Sequence, residues 1–230
     1  MRKIVLLALG LVVSATVLAQ EKVEAAIGAD FVSHYVWRGQ DCGGISIQPT
    51  LGISYKGLSL SAWGSVGVKS EDSKEFDLTA SYTVGGLTIG VTDYWFDSPE
   101  ERYFYYKAHE TSHVFEASLA YDFGLLSAAW YTNFAGNDGQ NKSDKRAYSS
   151  YLEVNVPFRL ATCEWTATMG VVPYATTYYD TTGFAVTDVS LKASKDIKIT
   201  DSFAVPIFAQ VAANPCSQRA YFVFGFTLQP

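Results

Sequence analysis

Apolar and polar residues alternate one by one along most of the chain, beginning near residue 23. In the first run, Val23, Ile27 and Phe31 fall on one face, and Glu24 and Asp30 fall on the other. A two-residue period is that of a β-strand with one apolar and one polar face. The alternation recurs in about twelve runs of roughly ten residues each, as far as the C-terminus. The pattern therefore predicts an all-β fold built from these runs.

The connections between the runs alternate in length. Short turns, such as 56–57 and 85–86, alternate with longer polar segments, such as 39–44 and 97–112. Tight turns at one end and long loops at the other, with an even number of strands, are typical of outer-membrane barrels. A soluble β-sandwich also alternates, but it does not obviously place outward aromatic residues at both ends of so many strands. We therefore predict a closed up-and-down antiparallel transmembrane β-barrel of about 12 strands, with a β-bulge near Asp188.

The N-terminus has the features of a secretory signal. Arg2 and Lys3 precede an apolar run, and Val17-Leu18-Ala19 fits the small-residue cleavage pattern. We predict that residues 1–19 are a signal peptide and that residues 20–230 form the outer-membrane β-barrel. The later sequence has no stretch of about 18 apolar residues that would cross a membrane as a helix.

Aromatic residues recur near both ends of the predicted apolar faces. Amphipathic rings settle at the two interfaces of a membrane, where they form girdles. In the run SHYVWRG at residues 33–39, Tyr35 and Trp37 share the apolar face, while His34 and Arg38 share the polar face. The predicted outer girdle contains Tyr35, Trp37, Trp95 and Trp130, and the predicted inner girdle contains Tyr55, Tyr82, Tyr121 and Phe158.

The polar faces would line the lumen with Ser, Thr and charged side chains. Carboxylates outnumber bases among these charges, which favours cations or neutral molecules over anions. Alternatively, the charges pair across the lumen and fill it, because unpaired charge in a confined interior is costly. Arg38 beside Asp30, Glu75 and Asp77 fits either an internal ion-pair cluster or a constriction with opposed charges. The candidate lumen residues are Asp30, His34, Arg38, Glu75, Asp77, Glu116, Glu153, Glu164 and Lys192.

Cysteine positions suggest a covalent link at the barrel seam. Cys42 lies in the first long loop and Cys216 in the last, and closure places the first and last strands side by side. Export favours disulfides. We predict a Cys42–Cys216 disulfide, worth a few kcal/mol by chain entropy, with Cys163 unpaired near the inner rim.

Several segments resemble an exported bacterial family. They are GADFVSHYVWRG, SIQPTLGISYKGLSLSAWGS and EFDLTASYTVGGLTIGVTDYWF, and they lie within about residues 25–100. The chain resembles the TorF-type porin family over this part and shows only a generic strand pattern beyond it. The resemblance implies an outer-membrane barrel and brings no established substrate.

Two functions are compatible with these features. One is passive diffusion of small hydrophilic solutes through the lumen, with a mild preference for cations or neutral molecules. The other is a closed barrel with a structural or surface-binding role through its loops, among which the Tyr-rich segment 97–112 stands out. That segment either offers a contact surface for a sugar or partner, or continues two strands above the membrane as a hairpin.

Other classes have less support. An enzyme would need a catalytic constellation, but no G-x-S-x-G motif is present, and the three histidines are His34, His109 and His113. A net charge of −6 gives no electrostatic support for a nucleic-acid partner. We expect no cofactor, a location in the bacterial outer membrane, and partners limited to outer-membrane lipid, small solutes, and the periplasmic chaperones and barrel-assembly machinery.

Overall fold

The computed structural model describes residues 22–69, 72, 74–97 and 102–229. The predicted signal peptide at residues 1–19 lies outside the described residues. The described part contains twelve long strands and one short hairpin of two strands. The hairpin strands are β2 (Tyr35–Trp37) and β3 (Gln40–Gly43). The long strands are β1 (Glu24–Val32), β4 (Ser46–Tyr55), β5 (Leu58–Gly67), β6 (Lys74–Val84), β7 (Leu87–Asp97), β8 (His113–Asp122), β9 (Ser127–Gly136), β10 (Ser150–Leu160), β11 (Cys163–Val172), β12 (Ala185–Lys198), β13 (Ala204–Asn214) and β14 (Arg219–Leu228).

The twelve long strands form one closed antiparallel barrel. Each strand pairs with its neighbour in the chain, β1 pairs with β4 across the hairpin, and β1 and β14 close the ring. At this seam Ala29–Val32 of β1 pairs with Gly225–Leu228 of β14. The prediction of an up-and-down twelve-stranded transmembrane barrel is confirmed. In the described part of the chain, no helix is long and apolar enough to cross a membrane.

Turn chemistry separates the two ends of the barrel. Lys56 and Gly57, between β4 and β5, have φ angles of 47° and 85°, as a tight type I′ hairpin turn requires. Gly85 has φ 59° in the equally short β6–β7 turn. At the other end the loops are long. The register of β11 against β12 shifts near Asp188, which confirms the predicted bulge.

The outward face is apolar around the ring. Leu51, Leu60, Ile89 and Leu119, for example, are 45–58% exposed there, because their side chains alternate with inward polar residues. This is the exterior that a barrel needs in lipid. Tyr55, Tyr82, Tyr121 and Phe158 are 41–45% exposed on the same face near the short turns, and Trp130 is 40% exposed on β9. Trp95 lies on the outward face of β7 beneath the ring of Tyr103.

The predicted lipid-facing position of Tyr35 and Trp37 is wrong. The first barrel strand ends at Val32, after which Ser33 still bonds the backbone of Phe224 on β14. The chain then turns into the lumen as the β2–β3 hairpin, so Tyr35 is only 5% exposed. The alternation continues through β2 because β2 is itself a strand, but it belongs to a separate sheet.

The predicted Cys42–Cys216 disulfide is also wrong, since no disulfide joins the described cysteines. Cys42 lies on β3, and its thiol donates to the carbonyl oxygen of Gln40 at 3.8 Å. Cys216 is exposed in the β13–β14 turn. Closure of the seam does bring β1 and β14 together, but the hairpin draws Cys42 inward while Cys216 stays at the surface.

Candidate functional site: a hairpin across the lumen

The first long loop does not stand above the barrel; its residues 35–43, called here the lumen hairpin, cross the lumen. The turn at its tip uses Arg38 and Gly39, with φ angles of 50° and 75°. A Cβ on Gly39 would lie 1.8 Å from the carbonyl oxygen of Thr187 on β12. Asn214 Nδ2 on β13 donates to the Gly39 carbonyl at 3.1 Å. The tip is therefore wedged against the wall, and only glycine fits this contact.

Arg38 joins the hairpin tip to the far wall. Its guanidinium donates from Nη1 and Nη2 to the two carboxylate oxygens of Glu116 on β8, at 2.6 and 2.9 Å. Nη1 also donates to the hydroxyl of Tyr179 at 2.6 Å, and Tyr94 donates to Glu116 at 2.9 Å. Arg38 is 8% exposed and Glu116 is 2% exposed. Such a bidentate pair is the strong form of a charge-assisted hydrogen bond.

Aromatic rings enclose the Arg38 guanidinium. Its carbon lies 4.0 Å from the ring centre of Tyr131, 4.3 Å from that of Trp37 and 4.7 Å from that of Tyr151. Cation–π contacts of this kind strengthen as water is excluded. The hairpin tip is thus held by charge, hydrogen bonds and ring faces at once.

A second anchor holds the base of the hairpin to β5 and β6, and only β7 separates β6 from the strand of Glu116. The Tyr35 hydroxyl donates to Glu75 on β6 at 2.9 Å. Its ring packs against Trp63 on β5, with ring centres 5.6 Å apart. Tyr35 therefore contacts β5 and β6, whereas Gly39 at the tip contacts β12 and β13 on the other side of the ring.

The β11–β12 loop (173–184) folds onto the hairpin. Tyr179 stacks on Trp37 at 6.2 Å, and Tyr178 meets the same ring edge-on at 6.4 Å. Gln40 Nε2 donates to the Tyr178 carbonyl at 3.2 Å. Burial raises the pKa of the Tyr179 phenol above its ordinary range, although Arg38 acts in the opposite direction. Both tyrosines thus stay neutral in this packing.

The half of the lumen nearer the long loops is filled. Each of the twelve barrel strands contributes at least one inward residue there that is 7% exposed or less. One such residue per strand, in ring order from β1, is Val32, Ser46, Ser65, Asp77, Tyr94, Glu116, Asn133, Tyr151, Val172, Asp188, Ala212 and Val223. In the half nearer the short turns, many inward serines and threonines are only half-buried, as at Ser59, Ser61, Ser81 and Thr83, although Thr88, Ala120 and Ala129 are buried there. The half nearer the short turns, called here the polar vestibule, is thus less tightly packed than the half that contains the lumen hairpin.

The structure places the other predicted lumen charges in different surroundings. Asp30 accepts from the Thr227 hydroxyl at 2.5 Å, and Glu153 accepts from Asn155 at 2.7 Å. Lys192 Nζ lies 4.1 Å from the ring centre of Phe208.

Two of the predicted residues lie at the barrel ends. His34 bonds Asp41 at 2.9 Å on the hairpin. Glu164 pairs with Arg159 at 2.5 Å near the short turns, where both side chains are more than half exposed. The expected grouping of Arg38 with Asp30, Glu75 and Asp77 does not form, because Arg38 reaches Glu116 instead.

Several residues of this site were not identified from the sequence. Tyr94, Tyr131 and Tyr151 occupy inward positions in strands that otherwise carry small polar residues, and that departure was an available signal. Tyr179 lies in a loop and gave no periodic signal. Asp188 is a further buried inward carboxylate. The Oδ1 atoms of Asp188 and Asp77 are both buried without a hydrogen-bond partner. Within the described residues, no three His, Cys, Asp or Glu side chains come together as metal ligands.

Comparisons with known proteins add little to this geometry. No family model matches the sequence, and no curated protein matches it. A solved structure of a porin is similar to 83% of this chain at 18% sequence identity, with a TM-score of 0.39. The chain spans 63% of that porin's length. The fold itself is a closed twelve-stranded β-barrel with an inward hairpin, and the resemblance to TorF-type porins stays a prediction.

Proposed function

We propose that the protein is a bacterial outer-membrane channel for small hydrophilic solutes, and that the lumen hairpin closes it. The observation that carries this proposal is a polar vestibule interrupted by one hairpin, whose tip contacts are centred on the buried Arg38–Glu116 ion pair. A filled lumen that served only as a core would not need so many half-buried Ser and Thr side chains in its other half. Delivery by periplasmic chaperones and the barrel-assembly machinery is part of the same proposal.

The charge of the lumen supports a preference for cations or neutral molecules. Four inward carboxylates, Glu75, Asp77, Glu153 and Asp188, form no ion pair with a basic side chain in the described part of the chain. Rings of carboxylates attract cations and repel anions in confined pores. Arg38 neutralises Glu116, so the remaining excess is acidic.

Closure by a hairpin rather than by wall side chains makes opening feasible. A barrel of this strand number can hold an aqueous path when its interior is not filled by its own residues. Displacing the lumen hairpin would release the packing around Trp37 and Tyr179 and connect the vestibule to the outside. The wall strands would keep their hydrogen bonds, because β2 and β3 pair only with each other.

Conductance in planar bilayers tests the proposal. We expect the native protein to open rarely, Arg38→Ala to open often with cation preference, and Arg159→Ala to behave as the native protein. Arg159 is the matched control because it also pairs with a carboxylate but is exposed near the short turns. A variant in which a short Gly-Ser link replaces residues 34–44 should stay open.

The second candidate function is a closed barrel that acts through its surface. It is favoured by the complete burial of inward residues around the outer half of the lumen. If the hairpin-less variant folds, as judged by heat-dependent gel migration, and still passes no current, the channel proposal is wrong and this second function is supported.

A further inference from the structure

The β7–β8 connection lies against the outside of the barrel. Its described part, residues 102–112, is called here the outer strap. The Tyr103 ring packs on Phe76, Trp95 and His113, with ring centres 6.0, 5.3 and 5.1 Å apart. These three side chains alternate with inward residues of β6, β7 and β8, so they belong to the outward face. The strap therefore covers the lipid-facing wall and does not extend the strands above it.

A hydrogen-bonded carboxyl and imidazole lie beneath the outer strap. Asp93 on β7 and His113 on β8 are both in the outward phase, and Oδ1 of Asp93 lies 2.7 Å from Nδ1 of His113. The side chain of His113 is fully buried, and that of Asp93 is 18% exposed. Nε2 of His113 donates to the carbonyl oxygen of Tyr103 at 2.6 Å, since a carbonyl can only accept. Ionisable groups on the lipid face of a barrel are costly, and the strap removes this pair from lipid.

The side of the strap that faces away from the wall is aromatic. Phe104 is 87% exposed and packs edge-on against Tyr103, with ring centres 5.1 Å apart. Tyr106 is 53% exposed and rests on His113 at 4.6 Å. Phe115 continues this surface to Phe134 on β9, which is 44% exposed. The exposed rings are thus continuous with the apolar face that contacts lipid.

The charges of the outer strap do not point to an anionic partner. Lys107 pairs with Glu110, and Tyr105 also donates to Glu110. Arg102 stacks on the Tyr105 ring, with 4.9 Å between its guanidinium carbon and the ring centre. Contact through aromatic surface, rather than attraction of a charged group, is therefore the interaction that this segment offers.

We propose that the outer strap docks into the outer leaflet of the membrane, with Phe104 and Tyr106 seated at the boundary between headgroups and acyl chains. Aromatic side chains favour this boundary. The partner is lipid itself; a sugar or protein in the external medium would require these rings to face water. The proposal is independent of conduction, because the strap contacts the wall and not the lumen hairpin.

Spin-label accessibility tests this placement in vesicles of zwitterionic phospholipid. Cys42→Ser, Cys163→Ser and Cys216→Ser give a background without thiols, to which Phe104→Cys is added and labelled with a nitroxide. Oxygen concentrates in the acyl region, and a hydrophilic nickel complex concentrates in water. Leu119→Cys, on the outward face of β8, is the matched lipid control, and Ser143→Cys, exposed in the β9–β10 loop, is the matched water control.

We expect the label at position 104 to collide with oxygen several-fold more than with the nickel complex, as at position 119 and opposite to position 143. A label introduced by Tyr106→Cys should behave in the same way. Both labels should be insensitive to salt, since no charge carries the contact. If the labels at 104 and 106 follow the water control in protein that shows heat-dependent gel migration, the proposal is overturned and a partner in the medium becomes the better occupant.

Discussion

Arg38 and Glu116 are 78 positions apart in the chain and form a bidentate ion pair inside the barrel, at 2.6 and 2.9 Å. One partner sits at the tip of a hairpin and the other on a wall strand. The pair therefore holds the hairpin in the position that closes the lumen. Its removal should change both stability and closure.

Truncation of Arg38 should destabilise the fold. Arg38→Ala leaves Glu116 buried and charged without a partner, which costs about 3–5 kcal/mol. Unfolding in urea, followed by gel migration or tryptophan emission, measures the loss. Arg38→Met together with Glu116→Leu should recover much of it, because the charge is removed with its partner. A double variant no more stable than Arg38→Ala would contradict this account.

Gly39→Ala should prevent the hairpin tip from seating. The new methyl group would meet the Thr187 carbonyl, at a φ of 75° that already disfavours alanine. We expect more frequent channel openings and a lower unfolding midpoint. Gly183→Ala is the control, since a Cβ there meets nothing within 4 Å. Equal conductance of the two variants would show that the tip contact does not control closure.

Neutralising lumen carboxylates should reduce cation preference. In a hairpin-less background, Glu75→Gln and Asp77→Asn each remove one inward negative charge from β6. The reversal potential under a salt gradient should move toward that of a nonselective pore. Asp201→Asn, at the exposed β12–β13 turn, should leave the reversal potential unchanged. If the turn variant and the lumen variants shift it alike, selectivity does not arise in the lumen.

Alkaline pH should weaken the packing of the β11–β12 loop on the hairpin. Burial raises the pKa of Tyr178 and Tyr179 above the value of about 10 for a free phenol. The folded state then binds more protons than the unfolded state above pH ~10, so stability is intact below that pH and falls as pH rises further. Ultraviolet difference spectra of Tyr179→Phe against the native protein should show that this phenol does not ionise near pH 10. A normal titration would contradict its burial.

Thiol chemistry should report the hairpin position. The exposed Cys216 should react rapidly with maleimide without reductant, and Cys42 should react slowly until Arg38→Ala displaces the hairpin. The mobility of the denatured protein on gels should be the same with and without reductant. A reductant-dependent shift would restore the disulfide that the structure rules out.

The barrel could be predicted from the sequence because the alternation determines which side chains share a face of each strand. Asp30, Glu75 and Glu116 fall in the polar phase of β1, β6 and β8, and their side chains lie on the inward faces of these strands. The same rule misplaced Tyr35 and Trp37, since a hairpin strand alternates as well as a wall strand does. The Arg38-Gly39 pair is the local turn signal, but the alternation placed Arg38 on the first strand and Gly39 at the start of the first long loop.

Contacts across the lumen could not be obtained from periodicity. The alternation shows which face of the sheet a residue occupies. It does not show the residue's position along the barrel axis or its partner on a distant strand, so Arg38 was grouped with Asp77 rather than Glu116. The outer strap shows the converse case. Asp93 and His113 are polar residues at positions of the outward face that are otherwise apolar. Such an exception indicates a place where another segment covers the wall.

The position of the lumen hairpin in the chain constrains the order of assembly. The hairpin follows the first wall strand, but its tip contacts Glu116, Tyr179, Thr187 and Asn214, which the ribosome makes much later. It can reach its final place only once the sheet has curved far enough to present these residues. The tip contacts join residues that are far apart in the chain, so they form late in folding. Their formation would indicate that the ring of strands is complete.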